Sequence, residues 1–178
     1  MLLLLMSNAQ AQFLNIKNDV FWNTKDGKPI YSQGGGIFKF KDANGKEKYY
    51  WYGVHYKEAE TYRNDPSVTL PNATFEAVTC YSSSDLVNWT FEANVFTKEE
   101  AFKTVPKTWV GRLGVAYIKE LNKYAMFVQH GNQVLITVAD SPTGEFKWHQ
   151  RISMKEMIGT SNTGDQTVFT DEDTGKSY

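Results

Sequence analysis

The sequence predicts an all-β protein, and its repeating pattern favours a β-propeller. Aromatic residues make up 15% of the 178-residue chain, which holds 13 Gly but only five Pro, a composition that favours strands joined by tight turns. Groups of four alternating polar and apolar runs open near Ile37, Val115 and Val168, 78 and 53 residues apart. Four-stranded repeats of about 40 to 50 residues are typical of β-propellers. A β-sandwich of regular hairpins is the alternative.

The first group consists of a hairpin followed by two further strands. The Asn44-Gly45 dipeptide supplies the turn of the hairpin. A Ser-rich turn that ends in Trp89 joins the third strand to the fourth, and a polar insertion over residues 57–73 accounts for the longer first interval. The predicted strands, which are rich in aromatic and β-branched residues, cover residues 36–41, 48–53, 75–81 and 90–96.

The second group repeats this order, and a third group begins near the end of the chain. A hairpin and a third strand again precede a Ser/Asp turn that ends in a Trp, and this matching order favours the propeller over the sandwich. We therefore expect two blades and the start of a third, whereas propellers close with roughly four to eight. The predicted segments are strands over residues 114–118, 123–128 and 133–138, a fourth strand from Trp148, and an opening strand over residues 166–170 with its turn at 171–176.

Residues 1–11 are predicted to be the remnant of a secretory signal peptide. The apolar run MLLLLM is followed by Ala9 and Ala11, an A-x-A-like cleavage pattern, and the run is too short to span a membrane; a frayed apolar terminus is the alternative. Cys80 is the only cysteine, so no intrachain disulfide can form. Export to a bacterial periplasm or cell surface fits a secreted chain without disulfides.

Charge and composition exclude several classes of function. With 19 Lys+Arg against 20 Asp+Glu the net charge is -1, so the basic surface expected of a nucleic-acid-binding protein is missing. The three His show no zinc-ligand spacing, and a hairpin turn explains the acidic residues 171–173 better than a calcium loop. The Gly run at 34–36 lacks the Lys-Ser/Thr of a phosphate loop. The sequence therefore predicts neither a metal ion nor a cofactor.

Several motifs resemble those of glycoside hydrolase family 43, over residues 15–178. The most specific is GDQTVFTDEDTGKSY at residues 164–178, and SSDLVNW at 83–89 and SPTGEF at 141–146 are similar to turns of the same family. The opening YSQGGGI at residues 31–37 is similar to the first blade of the galactan- and arabinogalactan-directed branches. The resemblance implies a five-bladed β-propeller, of which residues 12–178 form the first part of the catalytic domain.

The chemistry implied by this family is inverting hydrolysis of a glycosidic bond. A general acid protonates the leaving oxygen while a general base activates water on the opposite face, and the two carboxyl groups stand roughly 6.5 to 9.5 Å apart. A third carboxylate adjusts the pKa of the acid; Asp165 in the GDQTVF motif matches it, and a turn or capping Asp is the alternative. The position of the base falls in residues 33–36, which hold no carboxylate. The acid, a Glu, is expected beyond Tyr178.

The implied substrate is a plant polysaccharide with side chains. We expect the enzyme to remove terminal arabinofuranose or galactose-type units from them. Because the usual base is missing from the first blade, the alternative function is a carbohydrate-binding β-propeller without catalysis.

Five further residues are candidates for contact with this substrate. Arg112 is predicted to hold sugar hydroxyls or a carboxylate, with a structural ion pair to Asp165 as the alternative. Trp109 is predicted to stack on a sugar ring or to close the core between blades. His55 and His130 follow the middle strands of the two hairpins, where they border the pocket or serve as hydrogen-bonded loop histidines. Gln33 faces the opening of the first blade, where loop hydrogen bonding is the alternative role.

Overall fold

The chain folds into two antiparallel sheets of four strands each, as the sequence predicts. A computed structural model describes residues 14–178, so the predicted signal-peptide remnant at 1–11 lies outside the described residues. In each sheet the strands lie side by side in chain order, without crossovers. Sheet 1 contains β1 (Gln33–Lys41), β2 (Glu47–Tyr56), β3 (Phe75–Ser83) and β4 (Thr90–Thr97). Sheet 2 contains β5 (Val110–Ile118), β6 (Lys123–His130), β7 (Gln133–Ala139) and β8 (Lys147–Ile152).

The helices are short, and all of them lie between strands or after the last one. The first, α1 (Ala59–Asn64), occupies the polar insertion, and the second, α2 (Lys98–Ala101), lies against β3 and β4 of sheet 1. Neither helix shows a periodic apolar pattern, which is why the sequence did not predict them. None of the helices in residues 14–178 has the length and apolar character needed to cross a lipid bilayer. They are α1 (Ala59–Asn64), α2 (Lys98–Ala101) and α3 (Lys155–Ile158), with a 3-10 turn at Lys119–Leu121.

The glycine run at the start of β1 forms an irregularity in the sheet. The pairing of β1 with β2 shifts register between Gln33 and Gly36. Gly34 adopts a left-handed backbone with φ of 69°, and a Cβ on Gly35 would overlap the carbonyl of Tyr52. Glycine is needed at both positions, since other residues would add strain at the first and a steric clash at the second. The start of β1 therefore lies against β2 without side chains between residues 33 and 37.

The two sheets pack face to face around an apolar core. Phe38 and Phe40 of β1 point towards sheet 2, whose β5 contributes Val115 to the same core. Two tyrosines also cross the interface: the Tyr52 hydroxyl donates to the Pro142 carbonyl at 2.6 Å, and the Tyr56 hydroxyl donates to the Val110 carbonyl at 2.7 Å. These bonds satisfy the hydroxyl groups inside the core, where an unpaired hydroxyl would be costly.

A cluster of tryptophans covers the opposite face of sheet 1. The ring of Trp51 on β2 lies 5.7 Å from that of Trp22 and 5.3 Å from that of Trp89. Trp22 belongs to the segment that precedes β1, and the Lys25 amide of the same segment donates to the Trp89 carbonyl at 2.9 Å. This segment is therefore held against the sheet by both ring contacts and the backbone.

The third group of residues begins a hairpin, but the predicted strand over 166–170 does not form. A single bridge joins Thr170 to Ser177, and Phe169 and Tyr178 exchange two backbone hydrogen bonds. The remaining residues of 166–170 have no facing strand in the described chain. The predicted turn at 171–176 is confirmed, because the Asp171 carboxylate accepts the amides of residues 173 and 174 at 2.9 Å.

This third group, residues 166–178, is called the third segment below, and β1 and β5 are called the inner strands of their sheets. The third segment lies beside β5, the inner strand of sheet 2. A Cβ on Gly114 of β5 would overlap the backbone of Val168. The inner strand β5 is thus covered by sheet 1 on one face and by the third segment on the other, which is the arrangement of consecutive blades in a propeller.

Candidate functional site

Three chain segments meet where the inner strands begin, and they bring two of the predicted site residues together. The Arg112 Nε lies 3.2 Å from Asp165 Oδ2, which joins β5 to the loop before the third segment. A Cβ on Gly34 would lie 3.2 Å from Cδ and Nη1 of Arg112, so the start of β1 lies directly beneath the guanidinium group. We call Gly34, Arg112 and Asp165 the inner cluster.

The ion pair of the inner cluster is open to solvent. The side chains of Arg112 and Asp165 are 38% and 72% exposed. Exposed ion pairs contribute only about 0–1 kcal/mol to stability. The two charges therefore do little for the fold and are accessible to a ligand.

Local backbone geometry places each member of the pair. Asp165 follows Gly164, which has φ of 63° and whose amide donates to Asn162 Oδ1 at 3.1 Å. This tight turn presents the carboxylate just before the third segment. Arg112 lies where the pairing of β5 with β6 shifts register, between Val110 and Leu113. Such bulges re-aim a side chain away from the regular alternation of a strand.

Gln33 and His55 lie on β1 and β2 of sheet 1, and Gln33 directly precedes Gly34 of the inner cluster in the chain. Gln33 is exposed at the first position of β1 and pairs with Val54. The ring of His55 stacks on Tyr31 at 4.8 Å with an interplanar angle of 6°. Partial burial lowers the pKa of His55, although the nearby Glu76 carboxylate opposes the shift. A neutral imidazole can donate or accept one hydrogen bond at its exposed edge.

Trp109 lies at the entrance to β5 and does not enter the core between the sheets. Its ring folds back over Gly111, where a Cβ would overlap it, and the side chain is exposed. An exposed indole held flat against the backbone is a suitable surface for stacking a sugar ring.

His130 lies apart from the other candidates. It is fully buried, its Nε2 lies 2.9 Å from the Ala101 carbonyl, and its ring contacts Phe102 and Trp148 at 5.9 and 5.8 Å. Burial lowers its pKa to about 4, although the contact with the Ala101 carbonyl opposes the shift. The structure therefore does not bring His130 to the inner cluster, and it corresponds to the hydrogen-bonded histidine of the alternative interpretation.

Two residues that flank Asp165 were not singled out from the sequence. Thr163 Oγ1 and Gln166 Nε2 are buried and have no hydrogen-bond partner among the described residues. Gln166 lies inside the GDQTVF motif, so the motif itself was the signal that could have identified it. Within residues 14–178, no group of three or more His, Cys, Asp or Glu side chains is placed to hold a metal ion.

Comparison with known proteins gives one family match. The family model described as "Glycosyl hydrolases family 43" matches residues 42–178. No curated protein sequence matches the chain.

Several solved structures have the same fold. A β-1,3-galactosidase with bound galactodeoxynojirimycin is 26% identical with a TM-score of 0.58, over 76% of this chain and 38% of that one. An exo-β-1,3-galactanase from Clostridium thermocellum is 25% identical with a TM-score of 0.63, over 92% and 34%. An exo-β-1,3-galactanase from Phanerochaete chrysosporium, solved with β-1,3-galactotriose, is 22% identical with a TM-score of 0.68, over 89% and 34%. The chain thus spans about a third of the length of these proteins.

Proposed function

The chain belongs to glycosyl hydrolase family 43, and we propose that it supplies part of the active site of an inverting glycoside hydrolase. The observation that carries this proposal is the inner cluster. A solvent-accessible carboxylate and guanidinium group meet where the inner strands converge, beside a stretch of β1 that is kept free of side chains. Accessible charged side chains that meet at the openings of successive units are candidates for a catalytic site.

In the proposed mechanism Asp165 acts on the general acid and does not attack the substrate. The acid is a Glu from the polypeptide beyond Tyr178, and it protonates the glycosidic oxygen as the bond breaks. A neighbouring negative charge raises the pKa of a carboxylic acid, so the Asp165 carboxylate keeps the acid protonated at the working pH. Arg112 holds Asp165 in place through Nε.

The other candidates are proposed to bind the sugar. The Nη groups of Arg112 have no hydrogen-bond partner within the part of the chain that the structure describes, so they are available to sugar hydroxyls. Trp109 offers an exposed apolar ring, and Gln33 and His55 offer polar groups on sheet 1. Inversion also needs a base that activates water, and the start of β1 does not supply a carboxylate for it.

We propose a terminal galactose unit of a plant polysaccharide side chain as the substrate, in preference to arabinofuranose. Two solved proteins that are at least 25% identical to this chain are named as a β-1,3-galactosidase and an exo-β-1,3-galactanase. Their names support the galactose-type alternative of the two sugars that the sequence suggests.

A carbohydrate-binding propeller without catalysis is the second candidate function. The observation that favours it is the missing carboxylate in residues 33–36. The two candidates differ in outcome, because a binder retains the sugar unchanged whereas the enzyme releases it.

Replacement of Asp165 in the natural full-length polypeptide tests the proposed role. Asp165→Asn removes a like charge beside the acid, so the acid loses its proton at lower pH. We expect turnover to fall by orders of magnitude and the alkaline limb of the pH profile to move to lower pH, with little change in substrate binding.

The matched control is Asp173→Asn, which removes one exposed charge from the next turn. Both variants are compared with the wild type as turnover against pH per folded molecule. An unchanged profile for Asp165→Asn, with a lower melting temperature, would show that this Asp only shapes its turn. Binding without release of sugar by the wild type would support the second candidate function.

We also propose that the protein is exported, as the pattern at residues 1–11 suggests. The amino-terminal sequence of the protein recovered from the native organism tests this. Export predicts a mature chain that begins near residue 12 and a location outside the cytoplasm, whereas an intact terminus on a cytoplasmic protein would contradict it.

A further inference from the structure

Arg151 of β8 is a positive charge without a counter-ion in the described chain. By contrast, Arg112 belongs to the ion pair of the inner cluster, and Arg63 donates two hydrogen bonds and lies over a phenyl ring. Arg151 is half-buried and donates from Nη2 to the His130 carbonyl at 3.0 Å. Its Nε is buried without an acceptor, and none of the ion pairs within residues 14–178 includes it. Because buried charges are normally paired, Arg151 has the capacity to bind an anion.

Arg151 lies at the end of sheet 2 where β5 begins. Since neighbouring strands of this sheet are antiparallel, the end of β6, the turn into β7 and the end of β8 all lie at this end. The Gly131 amide in that turn donates to the Trp109 carbonyl at 2.7 Å. Arg151 and Trp109 therefore contact successive residues, His130 and Gly131, at the end of the sheet that also carries Arg112.

Gly131 keeps a gap open between Arg151 and Thr108. It has a left-handed backbone with φ of 61°. A Cβ at this position would lie 2.7 Å from Thr108 Oγ1 and 3.5 Å from Arg151 Nη2, so the hydroxyl and the guanidinium group flank one point above the glycine. Two hydrogen-bond donors thus converge on a space that a side chain at position 131 would fill.

The local charge favours an anion in this gap. Residues 101–118, which lead into and form β5, hold Lys103, Lys107 and Arg112 and no acidic residue. The preceding Glu100 is already engaged, by Lys103 Nζ at 3.3 Å and by a backbone amide of β8 at 2.7 Å. An excess of positive charge of this kind raises the local concentration of anionic ligands.

We propose that this gap is a subsite for an acidic sugar unit, whose carboxylate binds between Thr108 and Arg151. A carboxylate has two oxygen atoms, which match one hydroxyl and one guanidinium donor, and its planar shape matches the guanidinium fork. A neighbouring neutral unit stacks on the exposed ring of Trp109, the residue after Thr108. The ligand is therefore a polysaccharide whose side chains carry uronic acid units. This inference rests on the proposed sugar binding at this end of the sheet, but it does not depend on hydrolysis.

Two matched oligosaccharides test the subsite in the natural full-length polypeptide. The first probe is a galactose oligosaccharide with a terminal glucuronic acid unit, and the second is the same compound after reduction of its carboxyl group to an alcohol. Stopped-flow mixing gives both dissociation constants before appreciable sugar is released. We expect the acidic probe to bind about tenfold more tightly, as a hydrogen bond to a charged group allows, and we expect this preference to fall at high salt.

Substitutions then assign the preference to the gap. Arg151→Gln is expected to make the two probes bind equally, and Thr108→Val, which keeps the shape of the side chain, is expected to reduce the preference in part. Lys46→Gln removes an exposed charge from the turn between β1 and β2 and is the matched control, expected to retain the full preference. Melting temperatures show whether each variant is folded. If Arg151→Gln does not fold, Arg151→Lys, which keeps the charge but loses the fork, is expected to reduce the preference as well.

Equal binding of the two probes by the wild type would overturn the inference, and so would a preference that survives in both Arg151→Gln and Thr108→Val. A preference for the acidic probe without any release of sugar would support the subsite and contradict the proposed hydrolysis. Release of galactose units without a preference for the acidic probe would do the reverse. Failure of this inference and failure of the proposed function are therefore separate outcomes.

Discussion

At the scale of single residues, Gly34 leaves the space that the Arg112 side chain occupies. Gly34 and Gly45 have similar left-handed backbones, with φ of 69° and 76°. A Cβ on Gly34 would lie 3.2 Å from Arg112 Cδ, whereas a Cβ on Gly45 would have nothing within 4 Å. Substitutions at these two glycines therefore distinguish two effects. Both add backbone strain, but only a substitution at Gly34 crowds the Arg112 guanidinium group.

We expect Gly34→Ala and Gly45→Ala to lower the free energy of unfolding by similar amounts, roughly 1–2 kcal/mol for an L-residue in this conformation. Only Gly34→Ala is expected to raise KM of the full-length polypeptide for the proposed substrate, because only there does the methyl group crowd Arg112, which we propose binds the sugar. Denaturant unfolding and steady-state kinetics on both variants check this. Equal KM values would show that Arg112 is not held by its contact with β1.

The buried His130 makes stability depend on pH. Burial lowers its pKa to about 4 in the folded protein, against the Ala101 contact that opposes the shift, whereas an unfolded chain has a His pKa of about 6.5. Between these values the unfolded state binds more protons, so the free energy of unfolding falls as the pH falls. We expect denaturant midpoints to decrease between pH 6.5 and 5.

The contribution of His130 is isolated by comparison with His149, which is exposed on β8. His130→Gln removes the titration, so we expect lower stability at pH 7 but a flatter dependence on pH between 6.5 and 5. His149→Gln is expected to leave the dependence as in the wild type. If the free energy of unfolding of His130→Gln fell with pH as steeply as that of the wild type, other titrating groups would account for the pH dependence.

At the scale of elements, α2 protects the outer edge of sheet 2. β8 is the last strand of that sheet, and the buried Glu100 of α2 accepts the Trp148 amide of β8 at 2.7 Å. The Ala101 carbonyl of the same helix contacts the His130 ring. One turn of helix thus satisfies an amide that would otherwise offer an open edge to another chain.

Glu100→Ala leaves the Trp148 amide without this acceptor, so we expect a loss of about 1–3 kcal/mol in the free energy of unfolding. Glu99→Ala removes a neighbouring carboxylate that is exposed, and we expect a change within about 0.5 kcal/mol. Urea unfolding of both variants measures the difference. Equal losses of unfolding free energy in the two variants would mean that the change in helix propensity accounts for them. The hydrogen bond between Glu100 and the Trp148 amide would then contribute nothing measurable.

The strands of both sheets could be predicted because their signal is local. Alternating side chains and the Asn44-Gly45 turn fix a hairpin within a few residues. The strand predicted over 166–170 did not form, because a strand also needs a partner, and pairing here is limited to the bridge between Thr170 and Ser177. The helix α2 was missed because one turn is too short to show a period.

The site could be predicted only in part. The pair of Arg112 and Asp165 was among the interpretations that the sequence suggested, since both residues stand at the openings of successive units. The burial of His130 could not be predicted, because it depends on Phe102 and Trp148, which are distant in sequence and contact it only in the folded chain. The contact of Gly34 with Arg112 likewise joins two sheets.

At the scale of the whole molecule, we expect the 178-residue chain not to hydrolyse glycosides by itself. The general acid that we propose lies beyond Tyr178, so the 178-residue chain lacks the group that would protonate the leaving oxygen. Release of a chromogenic aglycone from galactosides and arabinofuranosides measures this, with the natural full-length polypeptide as the positive control. Release by the purified 178-residue chain well above the rate in buffer would place the acid within the described residues.

The order of the strands has a consequence for synthesis on the ribosome. Each sheet is a sequential meander, β1 to β4 and then β5 to β8, so every strand after the first of its sheet pairs with one that has already emerged. At translation rates of about 5 to 20 residues per second, the residues of sheet 1 are all made within roughly 5 to 20 seconds. Sheet 1 can then assemble while sheet 2 is still being translated, and the nascent chain adds its units one at a time from the amino terminus.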